Sequence, residues 1–477
     1  MAKVLLTRPG YDLFAARRKF VSDVGIAFLV TALHRAGHDV DFVDMNQPRF
    51  SPKRFINLCA ARKYDLIGMR ALSSDSPQVK KVLRDIRSAS PSTVTILGGP
   101  HASAMSKRIF DQFPELNLAM VGEGELGLVI LADLLDRKEK HLSDISCELK
   151  GVPGLVYRAD KDICVNEPSW INDLDSLGFP DFHAMNIPYF ATHASSFFGP
   201  YIPLLTGRGC PMPCTFCASH KVSGRLRRNH SLDYLIEYLK VLKYRFNVNL
   251  VTLIDDNFLA DIDFATALCH RMLQENLNMN WHCASNGIRA DKLTEEMVNL
   301  MEKSGCRYIA FGIESASQRV LDLMKKRTSI ELVLDKIEMV HKMSKIKVFG
   351  FFIIGYPGET TEERQLTLRK ALQSHLSYAD FLIFQPLPGS EIGDLVLRSV
   401  NLEGFRVFDY DRVSTVTDQR TALSLKRFQR KAYLRFYLRP RILLDFVLGL
   451  LKGDYRLKFM LKTTLSIFKP RGKDVRT

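Results

Sequence analysis

Short β-branched and apolar runs alternate with amphipathic stretches along most of the chain, and the rhythm changes at only a few points. In the opening third, Val4–Leu6, Val40–Val43, Leu66–Met69, Val94–Leu97 and Leu118–Val121 read as strands. Phe28–Ala36, Pro77–Ser88 and Leu126–Leu135, apolar at every third or fourth position, read as helices between them. A βα repeat of about 25 to 30 residues predicts a parallel, doubly wound sheet. The pattern breaks from about Gly151 to Pro203, where a hairpin over Leu155–Cys164 precedes a loop rich in Pro, Phe and His. A second βα series has strands at Ile202–Thr206, Leu250–Ile254, Trp281–Ala284, Tyr308–Phe311, Lys347–Ile354 and Phe381–Phe384, which predicts an incomplete (β/α) barrel of six strands. The fold class is therefore α/β. A Rossmann-like domain is expected over 1–150, a connector over 151–200, a partial TIM-like barrel over 201–400 and a basic, mostly helical region over 401–477.

Composition narrows the class. Hydrophobic residues make up 46% of the 477 and charged residues 25%, which suits a globular chain of two or three domains. The apolar run after Met1 is too short for an export signal, and the most lipophilic stretch, Ile442–Leu451, is interrupted by Asp445. A cytoplasmic protein is expected. Nine cysteines, an odd number, make a disulfide framework a poor explanation, and Cys59, Cys147, Cys164, Cys269, Cys283 and Cys306 stand singly, as small hydrophobes do. The net charge of +15 is local: from Arg420 to Thr477 there are 16 Lys and Arg against 3 Asp. That end has no recognisable module of stacking aromatics, so no nucleic-acid partner is expected.

Two glycine-rich turns follow the fourth and fifth strands: Gly98-Gly99-Pro100-His101 and Gly122-Glu123-Gly124-Glu125. They either bind a ligand at the carboxyl end of the sheet or only make tight strand-to-helix turns. No G-x-G-x-x-G follows the first strand, which disfavours a nicotinamide cofactor. The sharper signal is Thr206-Gly-Arg-Gly-Cys-Pro-Met-Pro-Cys-Thr-Phe-Cys-Ala-Ser219, which sets Cys210, Cys214 and Cys217 in one loop after a barrel strand. Soft thiolates at that spacing select a soft metal or a cluster. His220 leaves a zinc knuckle open, but three thiolates and one free iron position fit better.

This motif, with Phe216 just before its last cysteine, resembles the radical S-adenosylmethionine superfamily. The resemblance implies a 4Fe-4S cluster on the three cysteines and an open iron that takes S-adenosylmethionine, whose carbon–sulfur bond is split by an electron to give a deoxyadenosyl radical. It also implies contacts to that cofactor from Phe216, from Asp255, Asp256 and Asn257 after the second barrel strand, and from Asn286 and Arg289 after the third. Glu314 after the fourth and Gly355 after the fifth complete the expected set. The usual Gly-Gly-Glu turn is replaced by Asp255-Asp256-Asn257. Together with the N-terminal sheet, the order resembles the cobalamin-binding branch, whose corrinoid lies between sheet and barrel. Here the implied contacts are Gly98, Gly99, Pro100, His101, Gly122, Glu123 and Gly124. His34-Arg-Ala-Gly37 superficially fits a lower-ligand motif, but Ala32 stands where that motif has Asp, so ligation by His34 is not expected.

An external electron donor of the flavodoxin or ferredoxin type follows from the resemblance. With no cysteine after Cys306 and only Cys59 and Cys147 before Gly151, neither an auxiliary cluster nor methylthiolation is expected. Three readings stay open: a cobalamin-dependent methyltransferase acting on an unactivated carbon of a lipid-like or natural-product substrate, a cobalamin-free enzyme that abstracts hydrogen for dehydration, cyclisation or epimerisation, and a non-catalytic corrinoid or cluster sensor. In the tail, Phe436, Leu438, Leu443, Leu444, Phe446 and Val447 interleave with Arg435, Arg439 and Arg441. Such a segment either lies on anionic lipid, giving peripheral membrane contact through 420–477, or caps the barrel.

Overall fold

Strand β1 (Lys3–Arg8) lies inside the first sheet, paired in parallel with β2 (Asp39–Asp44) on one side and β3 (Leu66–Arg70) on the other. Strands β4 (Val94–Gly98) and β5 (Leu118–Met120) continue it, also parallel. This is a computed structural model, which describes residues 1–10, 22–47, 50–137, 142–193, 199–398, 400 and 418–451. The winding reverses between β1 and β3, and in open α/β sheets a crevice forms beyond the carboxyl ends of the strands at such a switch point. The helix Val24–Arg35 starts beside that crevice, capped by Asp23, whose carboxylate accepts from the Ile26 N–H at 3.1 Å.

The hairpin expected in the connector belongs to this sheet. Strand β6 (Leu155–Ala159) pairs antiparallel with β5, and β7 (Asp162–Val165) pairs with β6, so the sheet has seven strands. Leu155 and Val156 are fully buried, and β6 covers the edge that the short β5 would otherwise expose.

The second sheet begins at β8 (Ile202–Leu204), followed by a two-rung ladder of β9 (Gly207–Arg208) with β10 (Arg228–Asn229). Then come β11 (Leu250–Leu253), β12 (Asn280–Ile288), β13 (Cys306–Glu314), β14 (Lys347–Ile354) and β15 (Tyr378–Ile383). Strands β8 and β11 to β15 form one open parallel sheet in chain order. Helix Gln419–Tyr437 closes its free edge: Tyr437 Oη accepts from the Ala379 N–H at 3.2 Å and donates to the Ala379 carbonyl at 2.9 Å, and Gln429 donates to the Phe381 carbonyl at 2.7 Å. Polar side chains thus satisfy backbone groups that an edge strand leaves open. Among the described residues no helix is long and apolar enough to cross a membrane.

Candidate functional site: a cleft between sheet and barrel beside a three-cysteine loop

A cleft of about 1220 Å³, its open mouth included, lies over the carboxyl end of the first sheet and is walled on the far side by the barrel. From the sheet it is lined by Leu6, Thr7, Arg70, Gly98, Gly99 and Gly122, and from the barrel by Leu205, Arg208, Val222, Ser223, Ile254 and Asp256. Glycine is required at two of these turns. Gly99 (φ +84°) and Gly122 (φ +74°) are in the left-handed region, and added Cβ atoms would stand 2.9 Å from Arg70 and 2.7 Å from Pro168. Much of the lining is apolar, and Arg70 brings a cation, paired with buried Asp23 at 3.2 Å. Burial works against the charge on Asp23, but Arg70 and Arg8 outweigh it and hold the carboxyl below the usual range.

Of the residues expected to meet a corrinoid, Gly98, Gly99, Pro100, Gly122, Glu123 and Gly124 line this cleft. His101 does not. Its ring is buried, with Nδ1 3.0 Å from Ser73 Oγ and Nε2 2.7 Å from Gln112 Oε1, and burial pushes its pKa down to about 4. The His101 expectation is therefore corrected: both ring nitrogens are spent inside the first domain. His34 sits in the last turn of its helix, half exposed, 4.0 Å from Asp181 and outside the cleft lining.

Glu123 also differs from expectation, because its carboxylate faces the barrel. It takes Arg228 Nη1 at 3.0 Å and Nη2 at 2.8 Å, with Arg208 Nη1 at 3.3 Å, while Glu125 takes Arg208 Nη2 at 2.7 Å. All four side chains are buried. Burial opposes the charge on Arg208, but Glu125 and Glu123 hold its pKa above the ordinary arginine value. Arg208 and Arg228 face each other across the β9–β10 ladder, whose strands bracket the cysteine loop. Two loops from different domains are thereby locked together. The arginines went unsingled in the sequence because their partners are 83 to 105 residues away.

Within that loop Gly209 (φ +92°) leaves no room for a side chain, since a Cβ would fall 2.0 Å from the Leu226 carbonyl oxygen. Cys210, Cys214 and Cys217 are all half-buried free thiols. Burial pushes the Cys210 and Cys214 thiols up, each is raised further by Cys217, and the ammonium of Lys326 pulls both down. The loop is tied to the barrel by Thr215, whose hydroxyl is 2.7 Å from Tyr356 Oη and whose N–H donates to the Met324 carbonyl at 3.0 Å. Phe216 packs in a cluster with Val320, Met324 and Tyr356.

The other expected contacts divide. Lys326, which sequence reasoning missed, is half-buried, 2.7 Å from Glu314 and 5.8 Å from the centre of the Phe216 ring. Burial opposes its charge, but Glu314 and Cys214 hold its pKa above the usual lysine value. Glu314 itself sits at φ +64°, a strained backbone for a residue with a side chain, beside an irregularity in the β13–β14 register. Asp256 lines the cleft near Cys210, and burial pushes its carboxyl up. Asn257 is buried, with no hydrogen-bond partner for its Oδ1.

Three expectations become internal braces. Asp255 accepts from the Thr206 N–H at 2.8 Å and from Arg227 at 2.6 Å. Arg289 donates to the carbonyls of Lys326 at 2.7 Å and Arg327 at 2.6 Å, and so fixes the segment that carries Lys326. Gly355 (φ +75°) donates its N–H to Glu359 at 2.6 Å, and a Cβ there would meet Leu425 at 2.7 Å. The side chain of Asn286 lies outside the described residues.

These residues fit the cofactors that the resemblance implies. Three unpaired thiols in one loop are a donor set for an iron–sulfur cluster. Glycine turns on an apolar cleft leave room for a broad ring system.

Comparison with known proteins agrees. Residues 204–371 match the family model described as the Radical SAM superfamily, and residues 12–132 match the B12 binding domain. An uncharacterized methyltransferase of Pyrococcus horikoshii is 28% identical over 425 residues, covering 88% of this chain and 89% of that protein. The cytidylyl-2-hydroxyethylphosphonate methyltransferase of Streptomyces wedmorensis is 27% identical, covering 84% of this chain and 82% of its own length. Among solved structures, the radical S-adenosylmethionine methyltransferase TsrM of Kitasatospora setae, with cobalamin and a [4Fe-4S] cluster bound, has a similar fold: TM-score 0.69, 17% identity, 90% of this chain and 85% of that one.

Proposed function

We propose, for a chain that belongs to the radical S-adenosylmethionine superfamily and carries its B12-binding domain, that it transfers a methyl group to an unactivated carbon of a hydrophobic or natural-product small molecule. One observation carries this reading: the glycine-lined cleft of the first sheet and the three-cysteine loop of the barrel meet, with Asp256 lining the former and standing near Cys210 of the latter. A corrinoid and a cluster would be neighbours there. When bound, the cluster with S-adenosylmethionine supplies radical initiation and a methyl source, and the corrinoid supplies a methyl carrier.

The chain's own residues bind and orient. Cys210, Cys214 and Cys217 hold the cluster. Lys326 and Glu314, of opposite charge, offer partners for the carboxylate and amino groups of S-adenosylmethionine, with Asn257 Oδ1 as a further acceptor. Phe216 gives an aromatic face for adenine. The turns at Gly98–Pro100 and Gly122–Gly124 let the corrinoid approach the backbone, while Leu6, Ile26 and Leu128 exclude water from its edges. Arg208 and Arg228, through Glu123 and Glu125, set the separation of the two sites. The reading includes an external electron donor of the flavodoxin or ferredoxin type, a cytoplasmic location and contact with a membrane surface through the basic end.

The test is anaerobic reconstitution with iron, sulfide and hydroxocobalamin, followed by desalting, a visible spectrum and assay of 5′-deoxyadenosine under a strong reductant. Cluster absorbance with retained corrinoid is the expected result. A cluster with turnover and no retained corrinoid would move the assignment to hydrogen abstraction, and a corrinoid or cluster without any turnover would move it to a sensor.

A further inference from the structure

The two C-terminal helices use their apolar residues differently. In helix Gln419–Tyr437, Leu425, Ala432, Tyr433 and Phe436 are buried against the barrel, so this helix caps it. Helix Pro440–Leu451 buries Ile442 and sets the Phe446 ring 6.2 Å from Tyr378 and from Tyr437. Its other side is a continuous row of Leu443, Leu444, Val447, Leu448 and Leu451, each between 43% and 79% exposed. The spacing i, i+1, i+4, i+5, i+8 makes that row one face of the helix. Leu434, in the last turn of the preceding helix, and Leu438, which caps it, are also exposed, at 37% and 61%. Five exposed aliphatic side chains on one helix face mark an interaction surface rather than the scattered apolar residues of an ordinary exterior.

The charge around the band says what covers it. Residues 419–451 contain eight Lys and Arg and one acid, Asp445, and Asp445 is turned to Lys347 at 3.4 Å. Arg439 and Arg441, expected in a cationic rim, are instead spent on the fold: Arg439 donates to the Leu372 carbonyl at 2.8 Å and Arg441 to that of Leu376 at 3.0 Å. Arg427, Arg430, Lys431 and Arg435 remain exposed, and no salt bridge engages them among the described residues. A second copy of the chain would set this positive surface against itself, whereas an anionic bilayer would neutralise it and accept the leucines.

We infer that the face formed by Leu443, Leu444, Val447, Leu448 and Leu451, with the exposed Leu434, Leu438, Arg427, Arg430, Lys431 and Arg435 of the adjoining segment, docks on the surface of an anionic phospholipid bilayer. This deepens the membrane contact of the proposed function and rests on that part of it alone, not on the methyl-transfer chemistry. Contact is peripheral: the leucines enter the interface while the basic side chains stay at the headgroups.

The experiment is co-sedimentation of the full-length, reconstituted protein with sucrose-loaded vesicles, either pure phosphatidylcholine or phosphatidylcholine with one third phosphatidylglycerol. The wild type is expected to partition at least tenfold more strongly onto the anionic vesicles and to be released by 0.5 M salt. The double variant Leu444→Gln, Leu448→Gln should bind at least tenfold more weakly, and Arg427→Gln with Lys431→Gln should flatten the dependence on phosphatidylglycerol. Equal binding to both vesicle types, no binding, or unchanged binding in the leucine variant would overturn the proposal. So would light scattering that shows a wild-type dimer that the leucine variant splits, because a second copy would then own the face. Cluster absorbance and corrinoid retention, measured on the same samples, should match wild type in every variant. Failure of the lipid docking is thus distinguishable from failure of the enzymatic reading.

Discussion

The two walls of the cleft teach different things about reading a site. On the sheet side, Gly98, Gly99, Pro100, Gly122 and Gly124 stand where their turns suggested, lining the space above the switch point. On the barrel side, Asp255, Arg289 and Gly355 were expected at a cofactor and are instead spent on Thr206 and Arg227, on two loop carbonyls, and on Glu359. The sheet-side glycines are committed by their own tight turns, so their place is local and legible, whereas Gly355, also at a strand end, is closed over by Leu425 of a helix distant in sequence. A buried carboxylate or guanidinium is committed by whichever partner folding brings to it, and that partner is distant in sequence.

The difference is broken most severely at the cysteine loop. Cys214→Ala should abolish the cluster's brown absorbance and all cleavage of S-adenosylmethionine, yet leave retention of hydroxocobalamin by the sheet side within about twofold, because no cysteine is among the described residues that line that wall. If corrinoid were lost along with the cluster, the two walls could not be treated as separate binding surfaces.

Next in size is the lock between them. Glu123→Ala would leave Arg228 and Arg208 buried without one of their carboxylates, and loss of one partner from a buried ion pair costs about 3 to 5 kcal/mol. Thermal unfolding should show that loss in the unreconstituted protein. Were Glu123 chiefly a corrinoid contact, the apoprotein would be indifferent to the change and only cofactor retention would fall.

Most of the architecture was legible because it is periodic. The five parallel strands of the first sheet and the six of the barrel fall where the hydrophobic rhythm put them, within a residue or two at most ends, since each must bury one or both faces. Hairpin β6–β7 was seen as a hairpin but not as part of the sheet, because alternation gives a strand's faces and not its neighbour. Lys326 was invisible for a related reason. It follows Glu314 by twelve residues in a run, Lys325-Lys326-Arg327, that reads as solvated charge, and only the turn after the helix Gln318–Leu323 brings it to the thiols.

Lys326→Met sharpens the barrel side of the comparison. A charged hydrogen bond is worth about 1.5 to 3 kcal/mol, so S-adenosylmethionine should bind roughly 10- to 150-fold more weakly while iron content and the cluster spectrum persist. Arg289→Lys, which keeps a charge but not the two-carbonyl grip, should weaken binding less and raise proteolytic sensitivity near 326–327. Equal binding in Lys326→Met and wild type would return Lys326 to the status of a brace, like Arg289.

The smallest effect separates a buried brace from a cofactor ligand on the sheet side. His101 has its pKa pushed from 6.5 down to about 4 by burial, so the unfolded chain takes up its proton at a higher pH than the folded one. Stability from this group is complete above pH 6.5, falls as the pH drops through that window and stops falling below pH 4, where both states are protonated. Between pH 7 and pH 5 the loss is about 2 kcal/mol. His282, pushed down to about 3 by burial and by Arg307, adds a parallel loss from the barrel. Replacement by a neutral side chain of similar reach, His101→Gln, should therefore lower stability at pH 7 but flatten its decline toward pH 5, leaving only the slope contributed by the barrel and the surface. A ligand to a bound group would behave otherwise: in the apoprotein the pH slope of wild type and variant would coincide, and they would diverge only after corrinoid was added.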